Sequence, residues 1–336
     1  MRNKKYFFDL SSTASPTHFN LVNAMQRVGF KKNRWPWHMA FREKHLNFAP
    51  DACECLEFKH NLSQLTLNHC PDVMPKTYVI DDHNWPTVLN QLADEYYTNQ
   101  YGLTDKIEKL AWILKPALLN NGQDIKIFDR LSQIESHFMS FNRLGGPHVL
   151  QRYVINPDLY QERKYSLRFF VVITQNAGAF LYRHGYLNVA LESYAEADYS
   201  RLNGHLTNEH LNHDIPNVIQ IPTIITMQYP NWYSQIKPIV QSVTNALEQA
   251  FPHAYHIKKE DALAIFGFDF MMDSDYKMWL LEVNHGPCFP IEPHHPLQKP
   301  LYESFWTNLV KQMIEPMIKK QSVDLKSGHD FDCMRT

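Results

Sequence analysis

The sequence predicts a mixed α+β / α/β protein built from more than one structural unit, and three observations carry that expectation. The stretch from Ala264 to Pro287 reads as two apolar strands joined by a polar turn, Asp273 to Lys277, with side chains alternating between faces. Helical spacing of apolar residues recurs elsewhere, at Phe19, Val22 and Met25 and again at Ile236, Ile239, Val240, Val243 and Leu247. A chain of 336 residues is long enough for a large core and for two or three units.

Composition narrows the functional classes. Hydrophobic residues at 44% and charged residues at 20% describe a soluble globular chain. A net charge of -2 gives no electrostatic argument for nucleic-acid binding, and no apolar run approaches the roughly 20 residues of a membrane span. Met1 to Leu10 is basic, but its apolar part is interrupted by Asp9 and is too short for a signal sequence. Five cysteines, an odd count, favour a reducing compartment. The expectation is a cytoplasmic protein without nucleic-acid or membrane partners. Cys53 and Cys55 have no second pair at zinc-site spacing.

In chain order, Lys5 to Leu10 reads as a strand, and Phe19 to Val28 as a helix that Gly29 ends. Lys31 to Trp37 mixes basic and aromatic residues, which suits an acidic ligand or, more ordinarily, a solvated loop packed by its tryptophans. Met74 to Ile80 is a strand leaving the first unit, and Trp85 to Tyr97 a helix with Pro86 in its first turn. Trp112 to Lys115 is a short strand followed by the loop Ala117 to Ile125; Lys115 at its end is a compact charge able to reach a phosphate. Gly145-Gly146-Pro147 breaks the chain before a strand from His148 to Ile155. The expected division is 1–80, 81–150, 151–320 and a polar, frayed tail 321–336.

Further on, Lys164, Ser166, Arg168, Phe170 and Val172 share one strand face, and Leu167, Phe169, Val171 and Ile173 the other. Two cations on one face are costly unless an anion lies over them. A strand from Ala179 to His184 follows and carries Arg183. Phe305, Leu309, Met313 and Met317 mark a last helix. Cys288 has no evident basic partner that would make it a nucleophile.

In the late hairpin, Phe266, Phe268 and Phe270 share a face and Asp269 takes the other. Glu282 and Asn284 lie opposite Trp279, Leu281 and Val283. A Ser274–Lys277 loop would pair Asp273 with Met278 and set Asp269 across from Glu282. Facing carboxylates are unfavourable unless neutralised, and hard oxygen ligands suit a Mg²⁺ that also holds nucleotide phosphates. Two readings stay open: a metal site, or the solvent face of an amphipathic hairpin.

At these residues the chain resembles the tubulin-tyrosine ligase family of the ATP-grasp superfamily. The likeness covers the hairpin phrases Phe266-Gly267-Phe268-Asp269-Phe270 and Trp279-Leu280-Leu281-Glu282-Val283-Asn284. Five earlier blocks match in order: Trp112-Ile113-Leu114-Lys115-Pro116, Gln151-Arg152-Tyr153-Val154, Arg163 to Arg168, Tyr182-Arg183-His184-Gly185, and His205-Leu206-Thr207-Asn208. The resemblance implies an ATP-grasp fold with N-terminal, central and C-terminal subdomains and the nucleotide between the last two. It implies that Asp269, Glu282 and Asn284 hold Mg²⁺, that Lys115 and Lys164 contact ATP, and that Arg168 meets the transferring phosphoryl group. Gln151, Arg152, Tyr153 and Val154 would form the adenine hinge, with Ser166, Thr207 and Asn208 also near the nucleotide. Arg183, Asn188, His205 and His285 are the implied substrate-side candidates.

Three departures stand out. Ser166 replaces the family's usual aspartate, the loop with Asn121, Gln123 and Asp124 is poorer in glycine and positive charge, and Asn188 stands where some members carry an arginine that holds a substrate carboxylate. The implied function is an ATP- and Mg²⁺-dependent carboxylate–amine ligase that adds an amino acid to a protein or peptide through an acyl phosphate. A ligase joining two small molecules and a noncatalytic nucleotide-binding module are the alternatives.

Overall fold

Apolar alternation over residues 163–190 and 263–285 builds the largest sheet of the molecule, and the earlier elements are laid against it. The computed structural model describes residues 6–33, 35, 39–101, 109–196, 198–209, 211, 216–257, 261–321, 323 and 330–335.

Strand β1 (Phe7–Asp9) leads into helix α1 (Pro16–Arg27). Ser15 caps that helix by accepting from the His18 N–H at 3.2 Å, with Pro16 in the first turn and Gly29 at φ +97° just past the end. β2 (Lys31–Lys32) and β3 (Ala40–Arg42) flank β1 in a parallel sheet. The expected tryptophan-packed loop is therefore partly an edge strand whose lysines stay exposed, and Trp35 is 59% exposed. Arg34, Pro36 and Trp37 lie outside the described residues.

Two helices that the sequence did not announce follow, α2 (Pro50–Glu57) and α3 (Lys59–His69), broken by an extended backbone at Phe58 (ψ 119°). Both bury an apolar side in the core of the large sheet. Next come β4 (Thr77–Ile80), α4 (Trp85–Tyr101), β5 (Trp112–Pro116), β6 (Lys126–Phe128), α5 (Leu131–Met139) and β7 (His148–Arg152). The four strands form one antiparallel sheet in the order β4-β7-β5-β6. β4, expected to leave the first unit, thus belongs to this second sheet. α4 and α5 cover one of its faces through Val88, Leu92, Ile134 and Phe138 against Trp112, Leu114 and Leu150. The alternation then turns Ile113, Lys115 and Gln151 toward the opposite side, where the cleft lies.

The large sheet runs β11 (Val218–Pro222), β10 (Gly178–Ala190), β9 (Arg163–Thr174), β12 (Leu263–Met272), β13 (Met278–His285), with β8 (Leu159–Tyr160) on β9 and β14 (Phe331–Cys333) on β10. Leu167, Phe169, Val171 and Ile173 enter a core closed by α6 (Tyr229–Ala250) and the two early helices. Phe170 and Val172 enter a second core beneath α1 and the helical run from Gln298 to Lys319. That run joins α7 (Glu303–Leu309) and α8 (Glu315–Lys319) through π-type turns.

Three expectations need correction. The tail does not fray throughout: β14 pairs with Phe180–Tyr182, because Phe331 is 2% exposed against Tyr182 and Phe305 and Asp332 meets Arg183 and Lys237. β10 continues past His184 to Ala190 after a register shift between Leu181 and Gly185. In the hairpin, Asp269 does pair with Glu282, but Met272 rather than Asp273 pairs with Met278, and a bulge at Leu281 absorbs the extra residue. The buried set is consequently Met278, Leu280 and Val283, while Trp279 donates to Asp273 and Leu281 turns to the cleft. Among the described residues no helix is long and apolar enough to cross a membrane.

Candidate active site

Antiparallel register alone builds the floor of the site. Asp269 on β12 lies between Arg168 on β9 and Glu282 on β13, and Tyr186 on β10 lies on the far side of Arg168. Arg168 forks onto Asp269, with Nε donating to Oδ1 at 2.6 Å and the terminal nitrogen to Oδ2. Gly267 makes room for that fork: a Cβ there would stand 3.2 Å from Arg168 Cδ. Asn284 Nδ2 donates to Asp269 Oδ2 at 3.1 Å.

The electrostatics follow from this crowding. Burial works against the charge of Arg168, but Asp269 beside it pushes the guanidinium pKa up. Burial raises the Asp269 carboxyl, and the Arg168 guanidinium pulls the other way. For Glu282, burial also opposes ionisation, but Lys59, Lys115 and Arg168 outweigh it and hold the carboxyl down at about 2. Lys59 is 3.7 Å from Glu282, and its ammonium donates to the Leu119 carbonyl at 2.8 Å.

On the facing wall, Lys115 and Lys164 have neutral hydrogen-bond partners. Lys115 Nζ donates to Gln151 Oε1 at 2.9 Å, and Gln151 Nε2 donates onward to Thr77. Burial pulls Lys115 down to about 8, against the attraction of Glu282. Lys164 Nζ donates to the Tyr153 hydroxyl at 2.6 Å, and that hydroxyl is 2.8 Å from His205 Nδ1. Burial, then the charge of Lys115, lowers Lys164 well below an ordinary lysine. Burial and Lys164 likewise lower His205, whose Nε2 is 3.0 Å from the Asp198 carbonyl.

Between the two walls lies a cleft of about 790 Å³. Lys115, Lys164, Arg168, Asp269, Glu282 and Asn284 all line it. So do Gln151, Arg152, Tyr153, Val154, Ser166, Thr207 and Asn208, and Asn188, His205 and His285. Thr207 donates to Ser166 Oγ at 2.8 Å. The N–H groups of Arg152 and Tyr153 are spent on the Lys76 and Ala111 carbonyls, so a base docking here would meet other atoms of the segment. Asn121, Gly122 and Asp124 adopt left-handed backbone in the loop after β5, a conformation asparagine and aspartate tolerate. Arg183 does not reach the cleft; it pairs with Asp332 at 2.7 Å.

Residues 51–323 match the tubulin-tyrosine ligase family. The chain belongs to that family. The family is one of ATP-dependent ligases, and Lys115 and Lys164 in the cleft have an amide and a hydroxyl as hydrogen-bond partners. The chain is 27% identical over 237 residues to protein polyglycylase TTLL10 of Macaca fascicularis, covering 58% of this chain and 38% of that protein. It is 25% identical over 238 residues to probable tubulin polyglutamylase TTLL2 of Mus musculus, covering 65% and 40%. It is 27% identical over 258 residues to tubulin glycylase 3D of Tetrahymena thermophila, covering 71% and 24%. The chain therefore spans less than half the length of these family relatives.

Sequence reasoning missed Glu57, Lys59, Tyr186 and Glu209. Tyr186 was within reach, since its alternation with Asn188 continues the β10 strand past the predicted stop. Glu57 and Lys59 come from the unannounced helix break. Only folding brings them to Glu282 and His285. Cys288 lines the cleft, but burial, then Glu209 and Glu292, push its thiol up, the reverse of what a nucleophile needs.

Proposed function

We propose that this chain is an ATP- and Mg²⁺-dependent carboxylate–amine ligase on an ATP-grasp scaffold, adding an amino acid to a polypeptide. The observation that carries the reading is the meeting of Lys115, Lys164, Arg168, Asp269, Glu282 and Asn284 around one cleft between two sheets. Relatives named as glycylases and a polyglutamylase support a protein acceptor. The divisions at residues 80, 150 and 320 are part of the same proposal, as is a nucleotide lying between the second and third units.

The donor set fits a hard divalent cation. Glu282 is ionised, and Asp269 accepts three hydrogen bonds on a carboxylate with about four lone-pair sites. Asn284 turns its nitrogen to Asp269, which leaves its oxygen for another partner. Bound there, Mg²⁺ would screen the phosphate oxygens and polarise the γ-phosphoryl group.

A substrate carboxylate oxygen attacks the γ-phosphorus and ADP departs with the electron pair, giving an acyl phosphate. The amine then attacks the acyl carbon, the C–O bond to phosphate breaks, inorganic phosphate leaves and the amine releases a proton. The chain's part is positioning and charge neutralisation. Lys115 and Lys164 neutralise the phosphates, and Arg168, held in place by Asp269, faces the transferring group. No side-chain nucleophile is needed.

The test is incubation of the full chain with ATP, Mg²⁺, a panel of amino acids and a glutamate-rich polypeptide, with ADP and amide product measured together. Stoichiometric ADP and amide are expected. AMP release, or phosphoryl transfer to protein without amide, would overturn the reading.

A further inference from the structure

The loop after β5 is fastened by a residue that lies outside the cleft lining. Asn120, Asn121 and Ile125 of that loop line the cleft, whereas Lys59, at the start of α3, does not. Lys59 holds the base of the loop twice: its backbone N–H donates to the Ala117 carbonyl at 3.3 Å, and its ammonium donates to the Leu119 carbonyl at 2.8 Å. The same ammonium stands 3.7 Å from Glu282 Oε2 on β13. The tip of the loop packs close to Asn208 and Leu211, since a Cβ at Gly122 would stand 3.3 Å from Asn208 Oδ1 and 2.5 Å from Leu211 Cδ2. Base and tip of one loop are therefore set by residues far away in the chain.

Nothing local to α3 favours a lysine at this position. The first turn is the positive end of the helix dipole, where a cation is disfavoured. Lys59 is also only 9% exposed, and a buried ammonium is costly unless it is paired and hydrogen-bonded. Both costs are offset by partners from other elements, the Leu119 carbonyl and the Glu282 carboxylate. One ammonium thus joins α3, a loop of the small sheet and a strand of the large one.

We propose that Lys59 is a positioning residue of the nucleotide site: it fixes the loop 117–125 against the cleft and keeps it in a set place relative to the Glu282 carboxylate. The inference rests on the ligase reading for the identity of the ligand, and goes beyond it by assigning a residue of the N-terminal helices to the site. A lysine that merely supported the fold would loosen the surrounding core when replaced. A tether loosens the loop first, and with it the part of nucleotide binding that depends on Glu282.

The test combines hydrogen exchange of the full chain, followed in residues 117–125 and in β9, with equilibrium dialysis of labelled ADP in the presence and absence of Mg²⁺. Lys59→Met is expected to speed exchange in the loop about tenfold while β9 is unchanged. It is expected to weaken ADP binding about tenfold with Mg²⁺ and less without it. Lys59→Arg keeps a donor and the charge, and is expected to recover most of both losses. Loop exchange unaltered in Lys59→Met, a rise of equal size in β9, or losses in Lys59→Arg as large as in Lys59→Met would overturn the proposal. A parent chain that binds no ADP overturns the ligase reading instead, and the exchange result then decides the tether alone.

Discussion

Lys164 and Arg168 lie on the same face of β9, the first buried and the second half-buried, yet their charges are kept in opposite ways. Arg168 has a bidentate partner in Asp269, supplied by the neighbouring strand. Lys164 has a tyrosine hydroxyl, and Lys115 across the cleft has an amide. An ion pair that is complete before ligand arrives serves as fixed architecture, because breaking it strands a buried charge. Lysines with neutral partners are instead held short of their ordinary protonation by burial, and an incoming polyanion restores it. The cleft is thus rigidly charged along the Arg168 row and anion-seeking at the wall that carries Lys115 and Lys164.

The largest effect should come from breaking the complete pair. Asp269→Ala is expected to destabilise the protein by about 2–3 kcal/mol in urea unfolding, since the half-buried Arg168 loses its bidentate partner. Lys164→Met should cost less than about 1 kcal/mol, because a similar volume replaces an amine whose charge burial disfavours. Equal costs for the two would remove the distinction between the two kinds of site.

A smaller effect is expected in the pH dependence. Lys115 sits near 8 without nucleotide, and bound phosphate raises it. Its contribution to nucleotide affinity is complete below pH 8 and declines as pH rises beyond it; Lys164, lowered well below an ordinary lysine by burial and then by Lys115, adds to the proton uptake. Titration calorimetry in buffers of different ionisation enthalpy should show that uptake. For folding the sign reverses: the unfolded lysine binds more protons between pH 8 and its ordinary pKa, so nucleotide-free stability should rise across that interval. Lys115→Met should flatten the rise. Stability that falls between pH 8 and 10 in the parent and not in the variant would contradict this account.

The smallest effect tests the boundary of the site. Arg183→Ala is expected to lower stability by about 1 kcal/mol or less through a partly exposed pair, with nucleotide affinity unchanged. A clear loss of nucleotide affinity would put Arg183 back in the cleft.

Much of the site was legible because strand alternation is a local rule. It placed Lys164, Ser166 and Arg168 on one face, and the late hairpin set Asp269 opposite Glu282. It failed where one residue of slippage matters, at the Leu281 bulge and at the register shift that carries β10 on to Asn188. Arg183, inside a matching phrase, pairs instead with Asp332 on β14, a strand that the polar tail did not advertise.

By itself the sequence determined the order of the strands along the chain and the chemistry of the residues each can turn to one side, because those depend on neighbours two or four positions apart. Only the tertiary structure decided which charges are paired and which wait for an anion. Lys59 reaching Glu282, Gln151 under Lys115 and Tyr153 under Lys164 are contacts between separate elements. Burial, which sets the protonation of each, exists only once those elements have packed.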